Sequence, residues 1–149
     1  MKVKYFKRDL RWAKKAGLDP HITVMVGYPW ETKSEVKKSL DLAKKFFKRG
    51  LLDSLQATIV VPYPGTKLFE ECKRNNWLKS YDWDDYDMSK NVMKCFVSDK
   101  ELKKMIKDMY KGAWNLNFML RKITSVRNYD DVKYLYRYGL KFLKKLKDF

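Results

Sequence analysis

The sequence predicts an α/β fold: the later portion of an α/β barrel, followed by an α-helical tail. Three observations carry this. Two short runs rich in β-branched residues, His21–Gly27 and Leu55–Val61, each end at a proline-containing turn. A helix pattern lies between them, and joining two strands through a helix implies a parallel pair with a right-handed crossover. Residues 77–149 show no comparable strand run and instead carry helical stripes. Two parallel strands do not make a domain by themselves, so the chain reads as incomplete.

The elements follow in order. A first helix is expected over about residues 7–16, with Leu10, Ala13 and Ala16 in loose helical spacing and Gly17 as the stop. The strand His21–Gly27 is nearly continuous in apolar character, as suits a strand covered on both faces. Thr32-Lys33-Ser34-Glu35 forms a capping box ahead of a helix carrying Val36, Leu40, Ala43 and Phe47, with Gly50 at its end. After the second strand, Pro62-Tyr63-Pro64-Gly65-Thr66 turns the chain, and Thr66 caps a helix through about Asn75. Ser98-Asp99-Lys100-Glu101 is another capping box, opening a helix with Leu102, Met105, Ile106 and Met109 on one stripe. A last helix is expected over about 129–147, with Val132, Leu135, Tyr136, Leu143 and Leu146 as its apolar face. The division is residues 1–97 as the barrel portion and 98–149 as a helical extension.

Composition narrows the class. The chain has 149 residues, 45% hydrophobic and 15% aromatic, which excludes a disordered polymer despite a net charge of +16. No apolar run approaches the roughly 20 residues that span a bilayer, and the chain reads as soluble and cytoplasmic. The charge is uneven: residues 1–50 and 100–149 each carry +9, whereas 51–99 carry −2. Lysines outnumber arginines 27 to 7, so a solvated lysine-rich surface is favoured over a nucleic-acid face. The basic tail, with Lys133, Arg137, Lys141, Lys144 and Lys145 among Tyr134, Tyr138 and Phe142, suggests contact with an anionic membrane surface as a second reading.

Metal chemistry finds few donors. Cys72 and Cys95 lie 23 positions apart, His21 is the single histidine, and neither a zinc site nor an iron–sulfur cluster can be assembled from them. Asp82, Asp84, Asp85 and Asp87 lack the glycine and glutamate of a calcium loop and read as a structured acidic segment. His21, at the N-terminal side of its strand, is given no catalytic role. Gln56 and Thr58 are polar positions on a strand whose inward face would meet substrate, or else form satisfied buried hydrogen bonds.

Two strings, AKKAGLDPHITVMVGYPWET (13–32) and TIVVPYPGTKLFEECKRNNWL (58–78), joined by a helix and followed by DWDDYD (82–87), carry a family resemblance. They resemble the C-terminal part of radical S-adenosylmethionine (SAM) enzymes, especially those with a cobalamin-binding domain, and the tail with Tyr110 and Trp114 is similar to that group's extension. The resemblance implies a partial (βα)6 barrel of which this chain holds the fifth and sixth strands. It implies SAM, a 4Fe–4S cluster and cobalamin as cofactors, and a small-molecule substrate. The family's Cys-x-x-x-Cys-x-x-Cys motif is absent from the sequence, so catalysis would need a missing N-terminal half-barrel. The partner expected is that half-barrel, or self-association. Carried over by position, Thr23, Met25, Gly27 and Glu31 would line the adenine, Val60, Val61 and Pro62 would face its edge through their backbone, and Tyr63 would stand at the rim. No catalytic residue and no metal ligand is assigned. The alternatives are a tRNA methylthiotransferase-type fragment, or a non-enzymatic basic module that binds nucleic acid or membrane.

Overall fold

A computed structural model describes residues 3–88 and 90–113, and, further on, residues 126, 128, 129, 132, 133, 136, 137, 139 and 140. Helix α1 (Val3–Lys15) leads into strand β1 (His21–Val26), helix α2 (Lys33–Lys48), strand β2 (Ser54–Ile59), helix α3 (Lys67–Arg74), a 3-10 turn (Trp83–Tyr86) and helix α4 (Asp99–Ala113). The strands are parallel and in register from His21 opposite Ser54 to Val26 opposite Ile59. This α/β order is the one expected, with α1 beginning earlier than residue 7 and each strand ending before its turn.

Both capping boxes form. Thr32 accepts from the Glu35 amide while the Glu35 side chain takes the Thr32 amide. Ser98 and Glu101 reciprocate in the same way at α4. Gly50 follows α2 at φ +71, in the left-handed conformation that ends helices.

Among the described residues, one face of the sheet is covered by helices and the other is exposed. Val24 and Val26 on β1 and Leu55, Ala57 and Ile59 on β2 pack with Val36 and Leu40 of α2 and Leu102, Ile106 and Met109 of α4. His21, Thr23 and Met25, together with Ser54 and Gln56, are exposed, and Thr58 is half-buried. Ala57 and Ile59 turn toward the helices, because β2 must bury its apolar set against α2 and α4.

Helix α4 also closes the outer side of β2. The Tyr110 hydroxyl accepts a hydrogen bond from the Ala57 amide at 2.8 Å in a buried setting. Beyond β2 a second core gathers Val60, Val61, Phe69, Cys72, Leu78, Tyr86, Val92 and Met93. It is tied by backbone bonds from the Lys94 amide to the Trp77 carbonyl and from the Lys79 amide to the Val92 carbonyl, around a Leu78–Met93 bridge. This antiparallel contact was not expected, because neither segment carries an extended β-branched run. A third cluster joins α1 to the end of α2, with the Phe6 and Phe46 rings stacked 6.3 Å apart.

The last expected helix falls mostly outside the described residues, including Leu135, Leu143 and Leu146. Of its expected apolar face, Val132 and Tyr136 are described and are exposed. Among the described residues, no helix is long and apolar enough to cross a membrane.

Candidate functional site

The C-terminal ends of β1 and β2 carry two turns, and most of the expected site residues lie on or beside them. Gly27 ends β1 at φ +91. A Cβ added there would stand 3.0 Å from Leu102 Cδ1 and 3.4 Å from both Asn91 Nδ2 and Ile59 Cγ2. The expected reason for a glycine was close approach by a ligand; the reason visible here is the left-handed backbone and the α4 side chain packed against it.

Glu31 closes this turn from below. Its carboxylate accepts from the Gly27 amide at 2.7 Å and from the Tyr28 amide at 3.1 Å, so its position in the sequence serves the backbone of the turn. Residues far along the chain complete the brace. The Cys95 thiol donates to the Gly27 carbonyl at 3.1 Å, and the buried Asn91 amide donates to Cys95 Sγ at 3.0 Å. Asn91 is 2% exposed, and its side-chain oxygen accepts from the Met93 amide at 2.9 Å. Lys79 Nζ bonds both the Asn91 carbonyl and the Asp99 carboxylate, at 3.2 Å each. No short motif marks this network, since its members are joined by tertiary packing alone.

The turn after β2 is built differently. Val60, Val61 and Pro62 are buried, so any contact they make with a ligand runs through backbone. Tyr63 is 42% exposed, and its hydroxyl donates to the Tyr86 carbonyl at 3.3 Å. Thr66 accepts from the Phe69 amide and caps α3.

The open sheet face joins these two turns. Thr23 stands opposite Gln56 and Met25 opposite Thr58, so four of the expected residues form one rectangle. Met25 is 54% exposed, which places an apolar side chain at one corner beside three polar ones. At the foot of the face His21 Nδ1 lies 2.7 Å from Ser54 Oγ, and its Nε2 lies 3.3 Å from Thr23 Oγ1.

The cysteines behave as packed thiols. Burial pushes the Cys72 thiol up to about 11, and Cys72 Sγ lies 3.4 Å from Met93 Sδ in the core. Burial also raises Cys95, against the opposing hydrogen bond from Asn91. Neither carries the lowered pKa of a reactive nucleophile. Among the described residues, no group of three or more His, Cys, Asp or Glu side chains is placed to hold a metal ion. In the acidic segment, Asp82 caps the 3-10 turn and Asp85 pairs with Lys90 at 2.5 Å.

No protein-family model matches the sequence. Over 113 residues, 75% of this chain, the sequence is 34% identical to an uncharacterized methyltransferase of Pyrococcus horikoshii. The matched region is 23% of that relative, so the chain spans about a quarter of its length. This finding corrects the radical SAM expectation: the similarity points to a methyltransferase. Reductive cleavage of SAM, the 4Fe–4S cluster and cobalamin draw no support from it, and neither do the methylthiotransferase fragment or the basic binding module.

Proposed function

We propose that this chain forms part of a methyltransferase and contributes one wall of its SAM site. The observation that carries the reading is the 34% identity to a methyltransferase over 75% of the chain. The open sheet face supports it with a suitable surface, because Met25 offers an apolar contact for a purine ring while Thr23, Gln56 and Thr58 offer hydrogen-bonding groups around it. Ligands of α/β proteins bind at the C-terminal ends of parallel strands, where the Gly27–Glu31 and Val60–Tyr63 turns lie. SAM, when bound, supplies a methyl group activated on a positively charged sulfur.

In this reading the chain's own residues bind and orient. Glu31 and Cys95 hold the first turn so that its backbone presents a fixed edge, and the buried Val60–Pro62 segment does the same for the second turn. The two strands belong to a larger parallel sheet of barrel type, with the open face turned inward. The outer edge of β1 takes a further strand, from a preceding half-barrel or from a second copy.

Titration calorimetry with SAM and with S-adenosylhomocysteine tests the proposal. Saturable binding is expected, and a Gln56→Ala/Thr58→Val double variant should weaken it about tenfold, roughly 1.4 kcal/mol. Absence of saturable binding for both ligands, with circular dichroism showing a folded chain, contradicts it.

A further inference from the structure

Helix α1 has two unlike faces. Phe6 and Leu10 are drawn into the cluster on Phe46 and Phe47, with the Phe6 and Phe46 rings stacked 6.3 Å apart. Tyr5, Arg8, Trp12 and Lys15 recur at three- and four-residue spacing, which places them on one stripe of the helix, turned away from that contact. All four are exposed, Trp12 at 59%. The inner face anchors the helix, and the outer face presents aromatic rings beside cations.

The outer stripe is ordered and strongly basic. The Arg8 guanidinium lies 4.7 Å from the Tyr5 ring centroid and 4.6 Å from that of Trp12, so one cation bridges the two rings. The helix carries six Lys and Arg residues against Asp9 alone. Asp9 bonds Arg8 at 2.9 Å, and beyond the helix Asp19 and Asp53 bond Lys14 at 3.4 and 2.6 Å. Arg11 and Lys15 are exposed and enter no ion pair with a described residue.

This pairing of chemistries selects the partner. The surplus of positive charge complements an anionic surface. Trp and Tyr rings, apolar in body and polar at one edge, settle at the boundary between lipid headgroups and acyl chains, where neighbouring cations meet the phosphates. A single-stranded nucleic acid would stack its bases on open ring faces, but Arg8 occupies a face of both rings. We propose that the outer face of α1 rests on an anionic phospholipid surface, with Tyr5 and Trp12 at the headgroup boundary and Arg8, Arg11 and Lys15 against the phosphates. The inference is independent of methyl transfer, because none of these residues lies on the open sheet face.

Co-sedimentation of the full chain with vesicles tests it, using phosphatidylserine in phosphatidylcholine and phosphatidylcholine alone, at physiological salt. Binding to the anionic vesicles is expected, at least tenfold tighter than to the neutral ones. Each cation held at an anionic surface contributes about fivefold, so Arg11→Gln/Lys15→Gln, which leaves the Arg8 stacking in place, should weaken binding at least tenfold. Trp12→Ser keeps every charge and should weaken it at least threefold. A Lys67→Gln/Lys73→Gln variant, which loses two charges from α3, should stay within twofold. Circular dichroism checks that each variant folds. A second readout needs no charge variant: bromine-labelled acyl chains should quench tryptophan emission in the wild-type chain and do so markedly less in a Trp12→Phe chain. Equal binding to neutral vesicles, binding that survives the α1 substitutions, an equal loss in the α3 variant, or unchanged quenching in Trp12→Phe overturns the proposal. So does tighter binding of a single-stranded oligonucleotide that depends on Arg11 and Lys15.

Discussion

Gly27 shows how much one residue can be asked to do. At φ +91 with Leu102 packed 3.0 Å from where a Cβ would lie, Gly27→Ala combines backbone strain with overpacking. It is expected to lower stability by about 2–4 kcal/mol in a urea titration. Glu31→Gln keeps the shape but removes a charged acceptor from two backbone amides, and should lower stability by about 1–2 kcal/mol in the same measurement. The family resemblance singles out both residues, as a lining for the adenine. What it could not show is the reason for them. Asn91, Cys95 and Leu102 reach the turn from more than sixty positions away, and nothing in their own surroundings announces that contact.

At the scale of elements, the helices were legible wherever their ends carried their own chemistry. Thr32 with Glu35 and Ser98 with Glu101 fixed the starts of α2 and α4 in the sequence, and both pairs form as reciprocal caps. Hydrogen bonds to Thr32 lower Glu35 below its ordinary value of 4.5, and contacts led by Lys33 lower Glu101 in the same direction. Carboxylates with depressed folded values add stability above their unfolded values, and that contribution is lost as pH falls through the folded ones. The urea midpoint should therefore drop as pH falls below about 4.5, and a Glu35→Gln/Glu101→Gln variant should show a flatter dependence there. Element pairing was less legible. The Tyr110 hydroxyl takes the Ala57 amide, a bond that links α4 to β2 across 53 positions. Tyr110→Phe leaves that amide buried without its partner and should reduce stability by about 1–3 kcal/mol.

For the whole molecule, the sidedness of the sheet is the feature on which the proposed SAM wall rests. The α/β order and the parallel pairing were readable from two strands and a crossover, but the direction of each strand's apolar set was not. Ala57 and Ile59 could have faced either way until α2 and α4 supplied apolar partners. Among the described residues, one face is packed, the other presents Met25 among Thr23, Gln56 and Thr58, and β1 pairs with β2 alone. Exposed strand edges template association. Sedimentation velocity should therefore show association that grows with concentration and falls when Met25→Lys places a charge on the face; a monomer at every concentration would argue against this role for the edge.

The same open face carries the central claim, and ultraviolet crosslinking of methyl-tritiated SAM tests it most directly. After crosslinking and digestion, label is expected in the peptides containing residues 21–31 and 54–66, and excess unlabelled S-adenosylhomocysteine should suppress it. Label that the competitor does not suppress, or that falls only on α1, α3 or the 77–97 segment, would contradict the assignment of the SAM wall to this sheet.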